Sequence, residues 1–526
     1  MLPIDPVLFA WCAPAAYLAA AMYSAPGPVP GNAWRVAQGA AGVAVFAIVA
    51  AGTLAAWEYA ANGRPVDVPG LVVALLIAVL GWVIIRFSAR YLEGEPRQRT
   101  YIAALTFTLA AVSSVVITKH LGVMFLAWIA SSLGLHRLLT FYGDRPAAQA
   151  AAHKKFIASR AAELCLLAAL VLIYTETNTL FFTGITDFVV NHGGLTPALS
   201  IAMFLVAVAV ILKTAQLPVH GWIIQVMEAP TPVSALLHAG VVNLGGFVLI
   251  RLSMLLDGAP AAQALLVCVG GLTALLAGLV MMTRVSIKVR LAWSTCAQMG
   301  FMLMECGLGL YELAFLHLVA HSFYKAHAFL TSGDAVLETR RRSLAGRSPE
   351  FSPQRQLARQ LLAMPLAIGL VWLSAGAWQM AASVEPLPWV VTLIVGLGLA
   401  PLLWARRGPG LASELRGVLA VLVLTQVYLV VHKLFGIMLP AGGEHSPLLF
   451  AWAAACMVTL YGVQSWIEAY PRGALSRTLH PWAYAGFHLD EYFTRLSFRL
   501  WPVRIREIPA EAAPAPADES FARRPA

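Results

Sequence analysis

Charge is scarce in this chain. Of 526 residues, 12% are Asp, Glu, Lys or Arg, while 59% are hydrophobic. A soluble domain of this length would need far more charge to cover its surface, so the chain is a multi-pass membrane protein. Paired metal ligands are also missing. The six cysteines, Cys12, Cys165, Cys268, Cys296, Cys306 and Cys456, all fall in apolar stretches, and no two form a C-x-x-C pair. That leaves no framework for zinc, haem or an iron–sulfur cluster. There is no phosphate-binding loop and no dinucleotide fingerprint following a strand. An oxidoreductase reading therefore fails: the chain is expected to hold no cofactor or metal and to be a transport component, not an enzyme. The formal net charge of +10 does not point to nucleic acid. The basic residues sit in short loops between apolar runs, where they anchor a membrane protein on its cytoplasmic side. The first apolar run, Pro6–Tyr23, lacks a basic leader and a cleavage site, and reads as a retained span.

What the chain has in quantity is apolar runs of about 20 residues, the length that crosses a bilayer as a helix. About fifteen follow one another from 6–23 to 448–468, predicting an all-α polytopic membrane protein. Basic clusters follow odd-numbered spans: Arg86, Arg90, Arg97 and Arg99 after the third, and Arg145, Lys154, Lys155 and Arg160 after the fifth. Arg284, Lys288 and Arg290 follow the ninth, and Arg340–Arg342 the eleventh. This alternation places the N-terminus outside and the C-terminus inside the cytoplasmic (inner) membrane of a bacterium. The segment Trp482–Trp501 is amphipathic and basic, and is expected to lie on the membrane surface. Ala510–Ala526 is rich in Ala and Pro with mixed charge, and is expected to be disordered.

One stretch organises the rest: LKTAQLPVHGWIIQVMEAPTPVSALLHAGVVN, residues 212–243. It leaves an apolar helix at Lys213, breaks at Pro218, crosses a proline-rich turn and enters a helix carrying His238. An ionisable side chain inside a span is costly, so it faces a partner or water and usually has a task. Proline in mid-span frees a backbone carbonyl that only protein or a wet cavity can satisfy. Snorkelling of Lys213 from a helix end is the plain alternative. In the eleventh span, His317, His321 and Lys325 stand at i, i+4 and i+8, on one helix face. His327 lies about 200° around the helix from Lys325 and need not join them. Three titratable groups stacked in a membrane helix suggest proton transfer. Glu163 opens the apolar run of the sixth span, and either balances Arg160 at the interface or belongs to the path. Lys433, Glu228 and His136 are lesser candidates, while Glu305, Glu312 and Glu385 near span ends carry no assigned role. The lysines of spans seven and eleven, each beside histidine, hint at two related halves such as secondary transporters use.

These residues resemble a known family. LKTAQLPVHGW and MEAPTPVSALLHAGVV are similar to the core signature of the antiporter-like subunits of respiratory complex I and of Mrp cation/proton antiporters. The likeness extends through FSARYLEGEPRQRTYIAAL, HKKFIASRAAEL, TRVSIKVRLAWSTCAQMGFML and HLVAHSFYKAHAFL, covering about residues 80–335. The resemblance implies N-terminal helices over 1–100 and antiporter-like inverted repeats over 101–256 and 257–440. A C-terminal helix, an amphipathic helix and a tail then occupy 441–526. It implies a cation path through Lys213, His238, Glu163, His317, His321 and Lys325. Where the family carries a glutamate on the fifth helix, this chain has Ile129, and Glu163 is expected to take over that role. The twelfth span, 359–382, has no charge after Arg359, and the long lateral helix of complex I is missing.

These departures resemble the DabB branch, with SLGLHRLLTFYGDR around His136 and AHSFYKAHAFLTSGD after His321. That likeness implies a membrane subunit conducting H+ or Na+ to energise inorganic carbon accumulation. Its partner would be a DabA-like subunit on the cytoplasmic side, resembling a β-carbonic anhydrase and carrying the zinc. A subunit of a Mrp or complex I/hydrogenase-type assembly is the alternative. A membrane anchor whose charges merely pair is a third.

Overall fold

The structure, a computed structural model, describes residues 6–25, 31–63, 66–344, 351–382, 386–404, 411–439, 442 and 446–502. These residues are helical almost throughout, and the β pairing among them is one isolated antiparallel bridge between His120 and Phe181. Each expected apolar segment falls on a helix. Among the described residues ten helices are long and apolar enough to cross a membrane, against the fifteen or so crossings expected. Three more apolar helices, Leu8–Ser24, Pro197–Lys213 and Trp389–Trp404, are shorter. The helices Ile287–Gly307 and Tyr311–Leu330 are long enough but carry many polar residues. Glu385 and the tail Ala510–Ala526 lie outside the described residues.

The broken helix forms for local reasons. Thr196 opens Pro197–Lys213 by accepting from the Leu199 N–H at 3.3 Å, with proline in the first turn where its missing N–H costs nothing. After Lys213 the backbone turns at Ala215, with φ of 56°, passes a cis Leu217–Pro218 bond and restarts as Gly221–Gln225. Neighbouring helices satisfy the groups this break frees, as a membrane interior requires. Cys296 Sγ donates to the Ala215 carbonyl at 3.2 Å, and the Leu217 N–H donates to Thr273 Oγ1 at 3.3 Å. Thr273 and Cys296 belong to two helices, Pro260–Met281 and Ile287–Gly307, that meet at glycine. A Cβ on Gly270 would stand 2.5 Å from the Gly300 carbonyl oxygen, and one on Gly300 2.6 Å from that of Gly270. Small residues allow this backbone approach, on which membrane helix packing depends.

One expectation changes in the structure. The helix expected over 158–175 runs from Pro146 to Thr177, three turns earlier. Lys154 and Lys155, taken as loop charges, are therefore helical and buried. A rule that treats charge as loop cannot see a charge that finds a partner inside the bundle. The C-terminal amphipathic segment folds as Ala474–Tyr484, a tight turn over Gly486–His488, and Glu491–Leu500. It is docked on protein: Lys154 Nζ donates to Asp490 Oδ2 at 2.7 Å, and Arg284 donates to the Tyr484 carbonyl at 2.8 Å.

Gly300→Val is expected to cost about 1–3 kcal/mol, because the core helix pair cannot part without strain. Gly462→Ala, where nothing lies within 4 Å of the added carbon, should stay within about 0.5 kcal/mol. Thermal unfolding of the two variants in detergent reads the difference.

Candidate functional site

The first cluster of buried charge lies where the broken helix meets Pro146–Thr177. Lys155, Ser159 and Glu163 recur every four residues along the latter, so they share a face. Glu163 Oε1 is approached from two sides, by an Arg160 guanidinium nitrogen at 2.8 Å and by Lys213 Nζ at 3.5 Å. Lys213 Nζ also stands 4.6 Å above the Trp128 ring, a desolvated cation–π contact. Trp128 immediately precedes Ile129, so an indole face stands against the lysine beside the position of the family's fifth-helix glutamate. Lys155 Nζ donates to the Ser132 carbonyl at 2.8 Å, within electrostatic range of Lys213, Glu163 and Arg160. The structure thus brings three basic side chains around one carboxyl group.

The second cluster is built on Tyr311–Leu330. His317, His321 and Lys325 follow one another along it, with the two histidine rings 5.9 Å apart. His317 Nδ1 lies 2.9 Å from Glu305 Oε2, and Glu305 is 0% exposed. Lys325 is equally buried. Its Nζ donates to the Leu291 carbonyl at 3.0 Å and to Ser294 Oγ at 2.9 Å, and no carboxylate pairs with it among the described residues. His238 sits in a widened π turn, Leu237–Val241, with its ring stacked on Phe329 at 4.4 Å. Such turns often mark functional positions. Neither ring nitrogen of His238 or of His321 has a hydrogen-bond partner. Beside them, Asn243 Nδ2 donates to Ser322 Oγ at 2.7 Å. Buried polar atoms are seldom left unsatisfied unless water or function claims them.

The lesser candidates are elsewhere. Lys433 is exposed, though its neighbour His432 stands 2.9 Å from Glu312, out of hydrogen-bond alignment. Glu228 pairs with Arg145 at 3.3 Å, both half exposed, the kind of surface pair that contributes little. The His136 ring meets Phe156 and Trp501. Among the described residues no group of three or more His, Cys, Asp or Glu is placed to hold a metal ion. Sequence reasoning missed Lys155 and Glu305. The four-residue spacing of Lys155, Ser159 and Glu163 was the available signal for the first. Nothing in the sequence marks Glu305, twelve residues from His317 on a different helix.

The pattern described as NADH:quinone oxidoreductase/Mrp antiporter, TM, matches residues 118–383, the stretch that holds both clusters. The chain belongs to this family of antiporter-like membrane subunits. Within it, the chain is 41% identical to the probable inorganic carbon transporter subunit DabB of Hydrogenovibrio crunogenus, over 83% of each chain. It is 39% identical to DabB2 of Halothiobacillus neapolitanus, over 84% of this chain and 81% of that one. NADH-ubiquinone oxidoreductase chain 5 of Metridium senile is 33% identical over 50% of this chain and 44% of its own. The fold is similar to a chain of the Mrp complex from Dietzia sp. DQ12-45-1b, with TM-score 0.53 and 22% identity. That likeness covers 94% of this chain and 57% of that one.

His317→Ala leaves the fully buried Glu305 without its partner, and is expected to cost about 3–5 kcal/mol. Glu305→Gln should cost less. The double variant should depart from additivity by about 0.5–3 kcal/mol, measured as a double-mutant cycle of thermal unfolding in detergent.

Proposed function

We propose that this chain is the cation-conducting subunit of an energy-coupled inorganic carbon transporter in a bacterial inner membrane. The cation, H+ or Na+, moves along Glu163, Lys213, His238, His317, His321 and Lys325. Its C-terminus faces the cytoplasm, where a DabA-like, zinc-bearing subunit resembling a β-carbonic anhydrase converts CO2 to bicarbonate. No nucleic acid takes part, and the zinc belongs to that partner.

The observation that carries this reading is the burial of two lysines and three histidines in one helical bundle, with ring nitrogens left open. A lysine in a desolvated site changes charge as its neighbours change, and Glu163 is placed to set the state of Lys213. His238 and His321 have no hydrogen-bond partner on either ring nitrogen among the described residues, and His317 keeps Nε2 open, so water can link them toward Lys325. A path of this kind moves a cation without an open pore. The names of the DabB relatives support the carbon substrate.

In liposomes holding the purified complex, Lys213→Ala is expected to lower cation flux by about tenfold or more, the scale of a removed proton-transfer group. Undiminished flux would remove Lys213 from the mechanism. Gentle purification from the native host should bring down a large soluble partner containing zinc in stoichiometric amount. Recovery of small antiporter or redox subunits in its place would favour a Mrp or complex I-type assembly.

A further inference from the structure

A cavity lies outside the two clusters. It holds about 590 Å3 between the restarted half of the broken helix, the turn around Arg284 and the C-terminal segment. His220, Arg284, Trp293, His488, Asp490 and Glu491 line it. His220 is 1% exposed, and its Nδ1 has no partner. Asp490 Oδ2 accepts from Lys154 Nζ at 2.7 Å and from Thr494 Oγ1 at 2.9 Å, whereas its Oδ1 is buried with no partner. Both residues line the cavity, and each keeps one buried polar atom without a partner among the described residues, the condition under which an ordered water is expected to satisfy it.

The segment that roofs the cavity is held in place from several sides. Arg284 donates to the carbonyls of Ala483 and Tyr484, and the Trp501 ring stacks on His153 at 4.0 Å. Gly221 has no room for a Cβ because the Asp490 carboxylate stands against it. The carboxylate thus reaches the restart of the broken helix itself. Lys154 and Lys155, adjacent in the chain, face different ways: the first toward Asp490, the second toward Ser132 and the charges around Glu163.

We propose that this cavity is the aqueous mouth of the ion path on the side of the C-terminal segment, and that Asp490 and His220 carry protons inward from it. A proton from cavity water binds Asp490 Oδ1, which loosens the hold of the carboxylate on Lys154. It then passes through water to His220 Nδ1, and leaves the ring toward the charges around Glu163 as Asp490 recovers its negative charge. Asp490 and Lys154 act as a latch that opens when the carboxylate is neutral. The C-terminal segment is therefore part of the conduction machinery. This inference rests on the proton-conducting reading above.

The test measures proton flux in liposomes holding the intact complex and an internal pH-sensitive dye. Asp490→Asn, which keeps an oxygen for Lys154, and His220→Gln are each expected to lower flux about tenfold, with Asp490→Glu retaining most of it. Limited proteolysis checks that the C-terminal segment is still seated. Should Asp490→Asn unseat it, His220→Gln carries the test, since it leaves the ion pair untouched. Normal flux in Asp490→Asn and His220→Gln beside a slow Lys213→Ala would overturn this inference alone. Normal flux in all three would overturn the conducting reading beneath it. The exchange Lys154→Asp with Asp490→Lys restores the pair in reverse and should stay slow. Full recovery there would make Asp490 a clamp only and overturn the proposal.

Discussion

A membrane interior offers no water to screen a charge, so every charge placed there must be answered by protein. Glu163 is where that demand is sharpest in this chain. One carboxylate oxygen faces Arg160 and Lys213 together, with Lys155 held nearby by a serine carbonyl. Three basic groups thus share one acidic group, so adding or removing one proton changes the energy of its neighbours. The long helix Pro146–Thr177, the break after Lys213 and the indole of Trp128 can all be understood as the scaffold that holds this arrangement in place.

The second cluster meets the same demand differently. Lys325 has a carbonyl and a hydroxyl for company, with no carboxylate at hand among the described residues, and Glu305 answers His317 about two turns further along the row. The opposite charges of this half are thus spread along a helix face instead of meeting at one atom. His238 and His321 belong to this cluster and keep their ring nitrogens open among the described residues.

Much of this was legible in the sequence. The helical class follows from apolar runs, because a bilayer admits few other ways to bury backbone. The row of His317, His321 and Lys325 follows from four-residue spacing, and the break from Pro218 beside Lys213. The locations that stayed hidden depend on partners remote in sequence. Lys154 reads as a loop charge until Asp490, 336 residues away, is seen beside it. Glu305 reads as an interfacial acid until its helix is packed against His317. The amphipathic C-terminal segment has the pattern of a surface helix, and its contacts with Arg284, Lys154 and His153 show that it also docks on protein.

The helices that meet at Gly270 and Gly300 have a mechanical consequence. Through Thr273 and Cys296 they hold the loosened backbone after Lys213, and through Leu291 and Ser294 they seat the ammonium of Lys325. With no side chain between them at the crossing, they form a stiff beam on which both lysines are mounted. A tilt of that beam at one end arrives at the other without being absorbed by intervening side chains. The two halves thus share a chassis as well as a row of charges.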